Sequence, residues 1–146
     1  MPEENRILER CAREIALEAG RGARVVALGG RTGRAACLLA AAIEALPDAA
    51  QRSSASTRRL VFVSAARTAA MPERQLAATL GRIGERSPDD ALLVVGAASP
   101  RSDSLARFTR LATAAAWEHR QLWCDGPARF AVHVLSRRAA SRSTPM

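Results

Sequence analysis

Short apolar segments alternate with amphipathic helical patterns along most of the chain, and this alternation constrains the fold more than any other feature. Continuous apolar or β-branched segments occur at residues 24–28, 59–64 and 90–95. Helical patterns follow them at residues 35–46, from Pro72 through Ile83, and after a cap at Ser102 or Asp103. A helix that connects two parallel strands covers one face of their sheet, so this order predicts parallel strands buried on both faces.

The two ends of the chain depart from this repeat. At the start, Leu8, Cys11 and Ile15 share one stripe of a helix over residues 5–19, and Gly20 supplies its C-terminal stop. At the end, segments 121–124 and 129–135 flank an Asp-Gly pair at residues 125–126, which predicts an antiparallel hairpin.

Together these patterns predict an α/β fold, a three-layer Rossmann-like sandwich whose mainly parallel sheet ends in a C-terminal antiparallel hairpin. The polar segment 48–58 is expected to be a flexible surface loop. We expect one domain over residues 1–136, followed by a disordered basic tail over residues 137–146.

The charge of the chain favours anionic partners. All 22 basic residues are arginine, and the formal net charge is +8. Such a chain attracts anionic small molecules, nucleotides, nucleic acid or an acidic protein surface. Aromatic residues make up only 3% of the chain, which argues against a base-stacking platform. No apolar run approaches the roughly 18 residues of a membrane span, so we expect a cytoplasmic protein without a membrane partner.

The cysteines and histidines give no catalytic or metal-binding pattern. Cys11, Cys37 and Cys124 are widely spaced and form no C-x-x-C pair, so buried free thiols are expected. His133 lies in the alternating final segment and His119 near the end of the last helix. Neither accompanies a recognisable nucleophile, which favours structural or solvated roles over catalysis. No metal site is predicted.

The glycine turn after the first strand is the candidate ligand site. In such sheets ligands bind beyond the carboxyl ends of the strands, and the N–H groups of a glycine turn and a helix N-terminus attract anions. Arginines at a helix N-terminus are unfavourable without an anion, so they indicate a phosphate or carboxylate. A tight turn with two solvated arginines is the alternative. The candidate binding residues are Gly29, Gly30, Arg31, Thr32, Gly33, Arg34 and, after the second strand, Ser64.

The segment ARVVALGGRTGRAACLLA resembles motif I of class I S-adenosylmethionine-dependent methyltransferases, D-x-G-x-G-x-G. Gly29 and Gly33 match two of its glycines, whereas Ala27 replaces the acidic residue and Arg31 the middle glycine. Ser64 stands where the family has an acidic residue for the ribose hydroxyls. The C-terminal segment LWCDGPARFAVHVLSRR is similar to the closing hairpin of the family. This resemblance implies a Rossmann-like fold with S-adenosylmethionine as cofactor, and it assigns no catalytic residue.

A second resemblance is to a truncated RecA-type ATPase core, including degenerate relatives among SOS-response and mutagenesis accessory proteins. Gly33, Arg34 and Ala35 stand at the G-K-[ST] positions of its phosphate loop. This resemblance implies a non-catalytic interaction module in DNA repair or SOS regulation. Strand order separates the two families, because a hairpin strand inserted beside the third parallel strand is the methyltransferase arrangement.

Overall fold

The computed structural model describes residues 2–20, 23–28, 33–46, 59–64, 67–68, 71–86, 91–98, 104–124 and 130–137. The elements alternate as the sequence predicts. In chain order they are α1 (Pro2–Ala19), β1 (Arg24–Ala27), α2 (Arg34–Glu44), β2 (Arg59–Val63), α3 (Glu73–Arg86), β3 (Leu92–Ala98), α4 (Ser104–Ala114), β4 (Trp117–Cys124) and β5 (Phe130–Arg137).

The strands form one five-stranded mixed sheet in the order β1-β2-β3-β5-β4. The pairs β1–β2 and β2–β3 are parallel, whereas β5 is antiparallel to both β3 and β4. The predicted α/β class, with parallel strands first and an antiparallel hairpin at the end, is therefore confirmed. Strand β5 lies between β3 and β4, which is the arrangement expected of the methyltransferase fold rather than the RecA-type core.

The sheet separates two hydrophobic cores, which makes the fold three-layered. Leu60 and Phe62 of β2 face the core formed with α1 and α2. Val61 and Val63 face the core formed with α3 and α4. This alternation follows from the period of two along a strand. The helices that follow β1 and β2 thus lie on opposite faces, although both connections step in the same direction across the sheet.

Helices α1 and α2 pack against each other on one face of the sheet. In α1 the predicted stripe is buried, and Gly20 ends the helix with a φ of +94°, a conformation that glycine adopts without strain. In α2 the buried residues lie on one side, whereas Cys37 and Ala41 are exposed. The all-round apolar character of α2 therefore does not correspond to burial on every side.

Trp117 connects the hairpin to α3. Its side chain is fully buried, and its Nε1–H donates a hydrogen bond to the carbonyl oxygen of Leu80 at 3.0 Å. The Arg137 guanidinium lies 5.4 Å from the centre of the Trp117 ring, within the range of a cation–π interaction. A side chain at Gly84 would collide with this guanidinium, so the glycine permits the close packing of α3 on Arg137.

Three sequence-based expectations need correction. His119 does not end a helix, because β4 begins at Trp117 and includes it. Cys11 is buried, but Cys37 and Cys124 are exposed, so only one of the three cysteines confirms the expected burial. Arg137, assigned to the tail, is the last residue of β5.

The loop 48–58, the Asp-Gly turn at 125–126 and the tail from 138 onward lie outside the described residues. No helix within the described part of the chain is long and apolar enough to span a membrane.

Candidate functional site

The packing of α2 and α3 singles out the carboxyl edge of β1 and β2 as the candidate ligand site. Strands β1 and β2 are parallel, so both end at the same edge. The chain then leaves β1 toward the α1–α2 face and leaves β2 toward the α3–α4 face. Where neighbouring strands send their connections to opposite faces, the loops diverge and leave a ligand-sized opening between them. This topology makes the carboxyl edge between β1 and β2 the candidate position for a ligand crevice.

The first turn of α2 lies at one side of this crevice. Gly33 is its N-cap, with extended backbone angles of φ −87° and ψ 174° and no side-chain cap. The first turn contains no acidic residue, and Arg34 is exposed. Since the first N–H groups of a helix have no partner within the helix, this end carries donors and positive charge. A Cβ built on Gly33 would have no atom within 4 Å, so the space beside this residue is open among the described residues.

Ser64 lies at the other side of the crevice. Its carbonyl oxygen accepts hydrogen bonds from the backbone N–H groups of Arg67 and Thr68, both at 3.1 Å. Its Oγ also accepts from the N–H of Arg67 at 3.4 Å, and Thr68 Oγ1 donates to the carbonyl of Gly96 on β3 at 2.9 Å. These bonds fix the turn after β2 against β3, with the exposed Arg67 at the same edge.

The end of β1 reaches the level of Ser64. The N–H of Leu28 donates to the carbonyl oxygen of Phe62 at 2.9 Å, so the chain leaves β1 beside the end of β2. Among the predicted binding residues, Gly33, Arg34 and Ser64 are described: Gly33 and Arg34 begin α2, and Ser64 directly follows β2. The remaining ones, Gly29, Gly30, Arg31 and Thr32, lie outside the described residues.

A histidine pair on the β4–β5 hairpin is a second polar feature, which the sequence did not reveal. His119 Nε2 and His133 Nδ1 are 2.9 Å apart and share a hydrogen bond. The His133 side chain is 1% exposed and packs on the Phe108 ring, with 4.1 Å between ring centroids. Its Nε2 has no hydrogen-bond partner in the described structure. The sequence pattern places His119 near the end of a helix and so does not predict the pair. A predicted strand over residues 117–124, paired with the final strand, would have placed the two histidines side by side.

Burial favours the neutral form of both histidines. Desolvation, with a smaller contribution from the neighbouring His119, lowers the pKa of His133 from 6.5 to about 3. The pKa of His119 is also lowered, again by burial. In the neutral pair one ring donates and the other accepts, whereas a proton on both rings would leave two donors facing each other. The pair is therefore a buried structural contact that is sensitive to acid.

A surface cavity of about 460 Å³ lies between α1 and the first half of β4. Glu14, Glu18 and Glu118 line it together with His119 and Arg120. Arg120 Nη2 forms an ion pair with Glu18 Oε1 at 3.0 Å. This cavity lies at the β4 end of the sheet, and the crevice lies between β1 and β2 near the opposite end. The described residues contain no group of three or more histidines, cysteines or carboxylates that could hold a metal ion.

Comparisons with known proteins give a distant likeness among solved structures. No family matches the chain, and no curated protein is found as a relative. Among solved structures, the chain is similar to a TehB-like SAM-dependent methyltransferase from Corynebacterium glutamicum, with 16% sequence identity and a TM-score of 0.48. The match covers 54% of this chain and 47% of that protein, so it spans about half of each. No comparison supports the RecA-type resemblance.

Proposed function

We propose that this chain is a Rossmann-like binding protein whose ligand carries a carboxylate or phosphate and occupies the crevice between β1 and β2. One observation carries the proposal: the first turn of α2 has no side-chain cap, and α2 and α3, which follow β1 and β2, pack on opposite faces of the sheet. Nucleotides and nucleotide-like cofactors, including S-adenosylmethionine with its amino-acid carboxylate, have the required anionic group. The proposal is for binding and assigns no catalytic residue.

The roles of the described residues follow from their chemistry. The free N–H groups of the first turn of α2 donate to the anionic group, and Arg34 adds a charged donor beside them. Gly33 lets the ligand approach the backbone, because it has no side chain in that space. The Ser64 hydroxyl accepts from Arg67 and still has its own hydrogen to donate to a ligand oxygen.

Calorimetry with S-adenosylmethionine, S-adenosylhomocysteine, AMP and ATP tests the proposal. Arg34→Ala is expected to weaken binding about 10- to 100-fold, since a hydrogen bond to a charged group contributes about 1.5–3 kcal/mol. Arg13→Ala, which removes an exposed arginine from α1, is the matched control and should leave the affinity unchanged. Absence of heat with all four compounds would refute the proposal.

A second variant separates binding from folding. Gly33→Leu keeps allowed backbone angles, and a Cβ at this exposed position meets no neighbouring atom, so its unfolding midpoint should match that of the original chain. Its new side chain fills the space before α2, so ligand binding should be lost. Retained affinity in Gly33→Leu would show that the ligand binds elsewhere.

A further inference from the structure

The outer edge of β1 is open within the described part of the chain. Strand β1 is the first strand of the sheet and pairs with β2 on one side only. The N–H of Leu28 points to β2, where it donates to Phe62. The direction of backbone groups alternates along a strand. The N–H and C=O groups of Val26 therefore also point to β2, whereas those of Val25 and Ala27 point outward.

An apolar side chain lies next to this open edge. Val26 is 43% exposed, and it belongs with Leu122 to the large hydrophobic residues that are exposed in the described structure. Its register partner is Val61, which faces the α3–α4 core, so Val26 lies on the α3 side of the sheet. Open backbone groups beside an exposed β-branched side chain are what an added strand requires.

Four exposed arginines lie near the start of β1. Arg24 and Arg59 are register partners on β1 and β2, so they are neighbours across the two strands. Arg59 Nη1 donates to the carbonyl oxygen of Arg86 at 3.5 Å, which places the end of α3 beside them. Arg82 lies one turn earlier in α3. Glu85 is the acidic residue of this last turn, and none of the four arginines forms an ion pair among the described residues.

We propose that the outer edge of β1 binds an acidic partner protein, which adds an extended strand to the sheet. The partner strand would pair with the backbone groups of Val25 and Ala27, cover Val26 with an apolar side chain, and direct carboxylates toward Arg24 and Arg59. Backbone pairing supplies affinity in this binding mode, and the side chains supply specificity. The site is separate from the crevice at the carboxyl edge.

Charge and geometry distinguish this partner from two others. A second copy of the chain would bring Arg24 and Arg59 of both copies toward one interface, and each copy has a net charge of +8. Nucleic acid would satisfy the arginines but would use neither the outward backbone groups nor Val26. An acidic strand uses all three features.

The test uses the full chain and a fluorescein-labelled peptide of alternating valine and glutamate, with binding measured by fluorescence polarisation. We expect the peptide to bind, and its lysine-for-glutamate counterpart to fail. Ala27→Pro removes an outward N–H while leaving the bonds to β2 in place, so it should weaken binding at least tenfold. Val26→Asp, at an exposed position, should do the same through charge repulsion and loss of the apolar contact.

Charge reversal supplies the matched control. Arg24→Glu combined with Arg86→Glu should abolish peptide binding, whereas Arg13→Glu combined with Arg110→Glu, with the same net charge, should not. Hydrogen exchange at the amides of Val25 and Ala27 should slow when the peptide is bound. Failure of the peptide to bind overturns the proposal. Binding that survives both Ala27→Pro and Val26→Asp also overturns it. The proposal is also overturned if duplex DNA binds more tightly than the peptide and only charge reversal abolishes that binding. This result would define the surface as a nucleic-acid site.

Discussion

Acidification from pH 7 to pH 5 should weaken the folded state through His133. The ring is buried between Phe108 and the sheet, and its Nδ1 shares a hydrogen bond with His119 Nε2. A proton on His133 would place a charge in an apolar core, where no carboxylate partner is shown for it among the described residues. The folded chain therefore resists protonation at a pH where the unfolded chain accepts it.

The size of the effect follows from the difference in pKa. The unfolded chain protonates this side chain as the pH falls through 6.5, whereas the folded chain does so at about pH 3. Between these pH values the unfolded state binds more protons than the folded state. The free energy of unfolding therefore decreases by about 1.4 kcal/mol for each unit by which the pH is lowered. From pH 7 to pH 5 the expected loss is about 2 kcal/mol. His119, whose pKa is also lowered, acts in the same direction.

Urea unfolding followed by tryptophan fluorescence at pH 7 and pH 5 measures this loss. Trp117 is fully buried and Trp123 partly buried, so both report unfolding of the hairpin. His133→Asn keeps a polar atom near the position of Nδ1 but cannot titrate, so its stability should change much less between the two pH values. The reasoning is wrong if the original chain loses no stability at pH 5, or if His133→Asn loses as much as the original chain.

Two other expectations follow from glycine packing and cysteine burial. Gly81→Ala should stabilise the chain by about 0.5–1 kcal/mol in urea unfolding, because the residue is in a helix with open space around it. Gly84→Ala should gain less, since its side chain displaces the Arg137 guanidinium; an equal gain would contradict the packing described. In native buffer, Ellman's reagent should modify the exposed Cys37 and Cys124 but not Cys11. Burial raises the pKa of the Cys11 thiol to about 12, so little reactive thiolate is present. Modification of three thiols without denaturant would contradict the burial of Cys11.

Much of the fold can be predicted from the sequence because the central strands and helices carry strong periodic signals. The stripe of α1 and its stop at Gly20 are local features that packing leaves unchanged. The start of β4 carries no such signal. Helix α4 ends at Ala114, and Ala116 adopts a φ of +68° without a glycine to indicate the turn. Since alanine favours helices, the segment before Trp117 reads as a continuing helix.

The candidate site is predictable only in part, since sequence periodicity does not assign helices to faces of a sheet. The pattern of β2 indicates burial on both sides, but it does not say that α2 covers Leu60 and α3 covers Val61. The glycine turn can be located from the order strand, glycine, helix. The pairing of His119 with His133 depends on the hairpin register, including an irregularity between His119 and Gln121, which no local pattern specifies.

The crevice and an unusual chain connection have the same origin. The steps from β1 to β2 and from β2 to β3 run in the same direction between parallel strands. If the β1–α2–β2 and β2–α3–β3 crossovers had the same handedness, α2 and α3 would lie on the same face of the sheet. They pack on opposite faces. One of the two crossovers is therefore left-handed, whereas about 98% of such connections are right-handed. In ordinary doubly wound sheets the crevice arises where strand order reverses. Here α2 and α3 diverge without a reversal of strand order, so the departure from the usual handedness coincides with the carboxyl edge at which we propose that the ligand binds.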